Sequence, residues 1–599
     1  MWLFLRTRKV KTPVILGLLI ASLVLPPWLS PFLLTLLNLI LIYAILAMSL
    51  DILMGYTGMD SLGQAAFFGM GAYTTGILMV RYGFGWEVAV LLGLLLSTAT
   101  AALSGLWAVR VRGLFFLVIT LAVSQVLWGL SHRLGNITGG WVGLRGITRP
   151  LPILEPDINF YYLELVVFLA AGFLMYRLIH SPFGLTLRGI KDSESRMETS
   201  GYNVWLHKYI VFVICGLFSG VAGILYCFFA QFLSPGVLAV RTSFDAMLMV
   251  IIGGTGTLIG PIIGATAIVT LRNYLSVYID QWLIVLGLIY ILTTLYAPKG
   301  ILGWLRAGWR KVPIPETPDV ESGGRQVKDP PSVINPIQGS AKQAATRRKS
   351  SNEVEVLRLE SVSKFFGKIL AVNNVSMTAH SGARMAIIGP NGAGKTTLFN
   401  LISGVYHPSS GQISLFDKGI TRLSPHRRTR MGLARTYQIT NLYPTLTAID
   451  NIRLGIMGVQ RSKYLLHLPV VSLSSVNERA RELLDFIDLW DKRNIEVRYL
   501  SYGYQRQLEV VMALTSKPKV LLLDEPTAGL SRAETSSMVE LIKSLDPKLT
   551  VLLIEHDMDV AFEIADEITV LSNGQILTRG TREEIQANSA VRQIYLGRP

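Results

Sequence analysis

Cysteine is nearly absent: the 599 residues include two, Cys215 and Cys227. Both lie within one apolar stretch, which excludes a disulfide framework and gives no sign of a metal site. Charge is also sparse, at 16% Asp, Glu, Lys and Arg, and acidic residues are the rarer sign, 40 against 56 basic. The formal net charge of +16 could suit nucleic acid. The basic residues form no stripe and are not interleaved with aromatics, so no nucleic-acid partner is expected. At 51% hydrophobic residues, the chain is too apolar to be wholly water-soluble. A basic balance then follows from the positive-inside bias and from attraction to anionic membrane lipid.

The apolar residues are unevenly spread. Up to about Leu305, apolar runs recur at the length of about 20 residues that crosses a bilayer. Beyond about Val312 the composition is that of an ordinary globular domain. Segments near 12–30, 32–54, 62–80, 88–108 and 114–130 predict five crossings. Arg6, Arg8, Lys9 and Lys11 precede the first, and no small-residue cleavage site follows it. That pattern predicts an uncleaved span starting in the cytoplasm. The Gly- and Pro-rich stretch 131–158 then falls outside. Spans near 160–180 and 209–233 flank a cytoplasmic stretch carrying Arg188, Lys191, Arg196 and Lys208. Region 244–275 is broken by Gly253-Gly254-Thr255-Gly256-Thr257 and Gly260-Pro261. Such irregular backbone at membrane depth must be buried in protein or line a wet cavity. A last run, 281–297, ends inside. The total is eight spans if the Gly-rich region is re-entrant and ten if it crosses twice.

The segment 311–352 is polar, rich in Pro, Ser and Gln, and reads as a flexible linker between a membrane domain at 1–310 and a soluble domain at 353–599. In the soluble part, short β-type runs at 385–388, 520–523, 551–554 and 567–571 alternate with helical stretches. The fold class expected is therefore an all-α polytopic membrane domain followed by an α/β domain.

Two motifs in the soluble part carry chemistry. Gly389-Pro390-Asn391-Gly392-Ala393-Gly394-Lys395-Thr396 fits G-x-x-x-x-G-K-[ST], after a strand-like run and before a helix opened by Thr397. Glycines let backbone N–H groups wrap phosphate oxygens, Lys395 adds positive charge, and the Thr396 hydroxyl can ligate Mg²⁺. Val520-Leu521-Leu522-Leu523-Asp524-Glu525 reads as a buried parallel strand ending in two acids. Asp524 is placed to hold Mg²⁺ and Glu525 to polarise an attacking water. Together they predict a nucleotide hydrolase fused to a membrane domain.

Further along, Leu500-Ser501-Tyr502-Gly503-Tyr504-Gln505-Arg506-Gln507 resembles the signature motif of ABC transporter ATPases. Gln438 matches that family's Q-loop and His556 its switch histidine. Phe366 stands where the family stacks an aromatic on adenine. The resemblance implies a P-loop ABC-type fold with ATP and Mg²⁺ as cofactors. Glu525, His556 and Gln438 would be catalytic, and Thr396, Gln438 and Asp524 would hold the metal. Phe366, Gly389, Asn391, Gly392, Gly394, Lys395, Thr396 and Thr397 would bind nucleotide. Ser501 and Gly503 would reach the γ-phosphate held by a second ATPase domain. Tyr502, Tyr504 and Ser531 depart from the usual pattern.

In the membrane part, four stretches resemble permeases of the branched-chain (hydrophobic) amino acid and amide uptake family. They are Gly55-Tyr56-Thr57-Gly58 through Gly71-Ala72-Tyr73, Arg110-Val111-Arg112-Gly113, Ser181-Pro182-Phe183-Gly184 and Gly253 through Pro261. The ATPase ending Ile594-Tyr595-Leu596-Gly597 resembles the same family. The implied protein is half of an importer for branched-chain or other neutral amino acids in a bacterial inner membrane, with its ATPase cytoplasmic. Urea, amides or aromatic acids are the alternative cargo, and an exporter half is the alternative direction. Implied partners are a second permease and ATPase, or a second copy of this chain, together with an extracytoplasmic solute-binding protein. The Gly-rich segment reads either as close helix packing or as pathway lining. Residues 191–201 read either as a coupling helix that docks near Gln438 or as a solvated loop.

Overall fold

The computed structural model describes residue 17 and residues 20–278, 282–296, 300–303, 354–438 and 441–596. The predicted linker, the N-terminal basic cluster, the start of the predicted first span and Gly597 lie outside these. The chain forms two compact units. One comprises Met1–Leu187 with Trp205–Glu321, the other Arg188–Val204 with Ser322–Pro599. The division is therefore not a single cut, because the short segment Arg188–Val204 folds with the second unit.

The first unit is helical. Its main helices are α1 (Pro31–Asp51), α2 (Gln64–Tyr82), α3 (Trp86–Ala108), α4 (Leu114–Arg133) and α5 (Asp157–His180). Next, α6 (Pro182–Asp192) and α7 (Glu194–Thr199) surround the point where the chain passes to the second unit. The first unit resumes with α8 (Val204–Ala230), α9 (Val240–Gly253), α10 (Gly260–Tyr278) and α11 (Trp282–Tyr296). Among the described residues, five helices are long and apolar enough to span a membrane: α1 with its extension to Thr57, α3, α4, α5 and α8.

Polar side chains inside this unit mostly satisfy backbone. Ser97 on α3 donates to Phe67 O at 2.8 Å and Gly216 O at 3.1 Å, tying α2 and α8 together. The α1 helix begins at Ser30, whose hydroxyl accepts from Leu33 N, and continues as a π-helical turn over Ile52–Thr57. At that junction the buried Asp51 accepts from Gly256 N at 2.6 Å and from Leu258 N at 3.0 Å. A buried carboxylate thus satisfies the irregular backbone between α9 and α10. Gly55 permits the approach, since a Cβ there would lie 2.7 Å from the Gly256 Cα. Within the Gly-rich segment, Gly253 and Gly260 also lie against neighbouring backbone. Cys215 and Cys227 are free and buried.

The second unit is α/β. A four-stranded antiparallel sheet contains β1 (Glu355–Phe366), β2 (Ile369–His380), β4 (Ser410–Leu415) and β5 (Lys418–Gly419), in the order β2-β1-β4-β5. The larger sheet contains β3 (Arg384–Ile388), β6 (Leu433–Arg435), β7 (Val520–Asp524), β8 (Thr550–Ile554), β9 (Glu567–Ser572) and β10 (Gln575–Gly580). Its order is β10-β9-β3-β8-β7-β6, parallel except for the terminal hairpin. Every residue of β7 and β8 is buried, which is why both read in sequence as unbroken apolar runs. The C-terminal ends of β3 and β7 carry the candidate site.

Candidate functional site

The end of β3 opens into the loop 389–394 and then α12 (Lys395–Ser403). Gly394 is the helix N-cap at φ 98°, in the left-handed region, where its bare Cα faces the Ala371 carbonyl. The loop therefore delivers the first N–H groups of α12 at a helix N-terminus, a natural anion site. Lys395 Nζ donates to Gly389 O at 2.7 Å and Pro390 O at 3.0 Å. Burial lowers the Lys395 pKa, while Glu525 and Asp524 pull it back up. Asn391 and Gly392 form the exposed tip, and Thr397 is partly buried on α12.

Thr396, Gln438 and Asp524, the predicted metal set, line one cleft of about 340 Å³ with Asn400, Arg435 and Tyr437. Asp524 Oδ2 accepts from Arg435 Nη2 at 2.9 Å. Its Oδ1 is buried and has no hydrogen-bond partner among the described residues. Burial raises the Asp524 pKa against the opposing pull of Arg435. An orphaned carboxylate oxygen facing a hydroxyl and an amide oxygen is a donor set that fits a hard divalent cation such as Mg²⁺.

Glu525, one residue on, has φ 48°, an uncommon backbone for glutamate and one that costs of order 1–3 kcal/mol. Its N–H is held by Ile554 O at 2.9 Å. This turn aims the carboxylate into a clamp. Gln438 Nε2 donates to Oε2 at 3.1 Å, and His556 Nε2 lies 2.6 Å from Oε1. The three predicted catalytic residues, drawn from three distant segments, therefore converge.

Other predicted residues stand apart. Phe366, at the end of β1, is 40% exposed and meets Tyr406 edge-on at 5.2 Å. Ser501 is exposed at the N-cap of α15 (Tyr502–Leu514), reached after α13 (Ala448–Gly458) and α14 (Ser474–Phe486). No described contact joins Ser501 or Gly503 to the phosphate loop of the same chain. Of the departures, Tyr502 Oη donates to Ala528 O at 3.3 Å, joining the signature helix to the loop after Glu525. Tyr504 carries Lys492 Nζ 4.0 Å from its ring centroid. Ser531 forms a capping box with Glu534 at the start of α16 (Arg532–Lys543), a structural role for the replacement.

Several residues the motifs did not single out hold the clamp in place. Arg506 donates to Tyr437 O at 2.8 Å, to Gln438 O and to Glu525 O at 3.2 Å, and pairs with Glu509 at 2.9 Å. Glu509 Oε1 accepts from Tyr437 N at 2.9 Å. The segment Arg188–Val204 reaches the same cluster. Arg196 is 1% exposed; its Nη1 donates to Arg435 O at 3.2 Å and lies 3.6 Å from Glu509. Nearby, Tyr437 Oη donates to Thr199 Oγ1 at 3.1 Å and Thr429 Oγ1 to Thr199 O at 2.8 Å. Asp192 accepts from Thr445 N at 3.1 Å. Of the two readings of residues 191–201, the structure shows a docked segment beside the Q-loop. The sequence signal available was Arg506 and Glu509 at i,i+3 within an otherwise apolar helix face.

Glu555 accepts from Thr527 Oγ1 at 2.8 Å, Thr527 N at 3.2 Å and His556 N at 3.2 Å. Burial outweighs these bonds and pushes its pKa from 4.5 up to about 7. The folded chain thus keeps a proton that the unfolded chain has lost between those values. Stability contributed by this group is complete below pH 4.5, falls as pH rises through about 7, and is flat above. Glu555→Gln removes that slope. The melting-temperature gap between wild type and variant, measured on the purified chain, changes steadily across the window. Parallel curves would contradict the assignment.

Known proteins resemble both parts of the chain. Residues 32–294 match the family described as branched-chain amino acid transport system / permease component, and residues 372–528 match ABC transporter. The high-affinity branched-chain amino acid transport ATP-binding protein LivG of Salmonella typhimurium is 39% identical over 239 residues, covering 39% of this chain and 94% of LivG. BraF of Pseudomonas aeruginosa, of the same description, is 36% identical over 249 residues, covering 40% of this chain and 98% of BraF. The crystal structure of a nucleotide-free ATP-binding cassette from an ABC transporter is 29% identical, with a TM-score of 0.37, over 41% of this chain and all of that one. This chain belongs to the ABC transporter family of branched-chain amino acid transport systems, with a permease component and an ATP-binding component in one polypeptide.

Proposed function

We propose that this chain is one permease-plus-ATPase half of an importer for branched-chain or other neutral, hydrophobic amino acids. Its membrane is the bacterial inner membrane, and delivery is to the side of the ATPase. At the coarser level it is a membrane protein that binds ATP and couples its hydrolysis to transport. In the finer assignment, residues 1–310 are the permease, 311–352 a linker and 353–599 the ATPase. The observation that carries the hydrolytic assignment is the Glu525 carboxylate clamped between Gln438 Nε2 and His556 Nε2.

In that assignment, Phe366 stacks on adenine. The backbone of Gly389, Asn391, Gly392 and Gly394, with Lys395, Thr396 and Thr397, cradles the phosphates. Thr396, Gln438 and Asp524 hold Mg²⁺, which when bound supplies charge compensation at the phosphate oxygens. Glu525 takes a proton from the attacking water, and His556 and Gln438 fix the carboxylate's direction. Water oxygen bonds to the γ-phosphorus as the bond to the bridging oxygen breaks, releasing phosphate and ADP. Ser501 and Gly503 complete the site of a second ATPase domain, because within one chain they do not meet the phosphate loop. The docked segment Arg188–Val204 passes nucleotide-driven movement of the Q-loop to the helices on either side of it in sequence.

Purification of the native complex checks the assembly. The account expects a second permease and ATPase subunit or a second copy of this chain. It also expects an extracytoplasmic binding protein whose competition profile favours valine, leucine and isoleucine. A chain that transports as a monomer, or a profile led by urea or amides, would overturn the assignment.

A further inference from the structure

An ion pair joins two helices of the helical unit, with the Asp245 side chain 15% exposed and that of Arg272 41% exposed. Arg272 on α10 donates through Nη1 to Asp245 Oδ2 on α9 at 3.2 Å. The pair borders a cavity of about 140 Å³, also lined by Tyr43 of α1, Tyr226 of α8, Met249 and Val269. Tyr43 and Tyr226 lie 6.4 Å apart at a steep angle, and Phe68 backs both rings. Ionisable groups among the helices of a membrane domain are costly and commonly mark a substrate or ion path.

We propose that this cavity is a substrate site for a zwitterionic α-amino acid with a small aliphatic side chain. The inference rests on the importer reading and sharpens it. Arg272 grips the α-carboxylate, for which a planar guanidinium is the matching partner. Asp245 accepts from the α-ammonium. The tyrosine rings, Met249 and Val269 cover the aliphatic side chain.

Neutrality explains the choice of ligand. The Asp–Arg pair carries no net charge and neither does a zwitterion, so filling the cavity leaves unchanged the local charge, to which Arg241 also contributes at Asp245. A carboxylic acid or an amine alone would leave one charge without a counterpart in a low-dielectric surround. A neutral amide would avoid that imbalance but could not replace the pair it must split. Size sets a second limit. A cavity of about 150 Å³ holds a benzene-sized molecule, so a space of about 140 Å³ favours the small aliphatic amino acids and turns away tryptophan.

Binding of labelled L-valine to the purified full chain in lipid nanodiscs tests this, with isobutylamine, isobutyrate and isobutyramide as competitors. The expected result is competition by L-leucine at concentrations at least tenfold lower than any of the three single-function analogues. Asp245→Asn and Arg272→Gln, each recovered as a folded, monodisperse chain, should weaken valine binding at least tenfold. A pair serving only to clasp α9 to α10 predicts unchanged affinity in both. Should either variant fail to fold, Leu39→Cys in the otherwise native chain decides, because Leu39 also lines the cavity. Its thiol labelling should slow at least fivefold with L-valine and not with the amide. Equal competition by all analogues, or no protection at Leu39→Cys, overturns the site. Uptake of valine by cells carrying the assembled system is scored in parallel. Uptake without binding here sinks the site alone, whereas absence of uptake sinks the importer reading.

Discussion

Glu525→Gln lowers ATP turnover of the assembled transporter by about 10²–10⁴-fold, the range for loss of a general base. The substitution keeps size and shape, so the φ 48° turn and the backbone bond to Ile554 O remain. What disappears is proton-accepting capacity at the atom 2.6 Å from His556 Nε2. ATP still binds, because Lys395 and the loop 389–394 are untouched, and the nucleotide stays trapped. Single-turnover hydrolysis and nucleotide retention measured together check this. Near wild-type turnover would move the base elsewhere. Lys395→Ala should act differently, weakening nucleotide affinity itself.

Arg196→Ala separates ATP hydrolysis from uptake. Arg196 is the buried cation through which Arg188–Val204 meets Glu509 and the Arg435 carbonyl. Breaking a buried ion pair by removing one partner costs about 3–5 kcal/mol, which is at least about a hundredfold in the docked population. Some of that cost is absorbed by Arg506, which still faces Glu509 at 2.9 Å. Uptake should therefore fall at least tenfold while ATP hydrolysis continues. A ratio of molecules moved to ATP consumed equal to wild type would contradict the coupling role. A cysteine at Glu198 should also crosslink to one beside Gln438, and the crosslink should block uptake.

The parts legible in sequence are those fixed by local pattern. Strands β7 and β8 are buried on both faces, so their apolar runs gave bounds within a residue of those observed. The Gln438–Glu525–His556 set was legible because each member sits in its own motif. The cluster of Arg196, Arg435, Arg506 and Glu509 was legible only in its Arg506–Glu509 pair at i,i+3, since Arg196 and Arg435 join it through tertiary packing. Asp51 likewise carries no local mark of its role; its partners Gly256 and Leu258 come some 200 residues later. Ser531 and Tyr502 stood out only as departures from a motif, and the structure supplies their reasons in a helix cap and a bond to Ala528 O. The Asp245–Arg272 cavity draws on four helices, and no periodicity in any one of them points to it.

The central claim is that the ATP-hydrolysing half of this chain drives a neutral amino acid toward its own side of the membrane. Labelled L-valine in sealed vesicles carrying the assembled system, with external binding protein and ATP on the ATPase side, tests it most directly. The account predicts accumulation above the external concentration on the ATPase side, abolished by Glu525→Gln. Valine leaving that side, or equal accumulation with the Glu525→Gln chain, would contradict it.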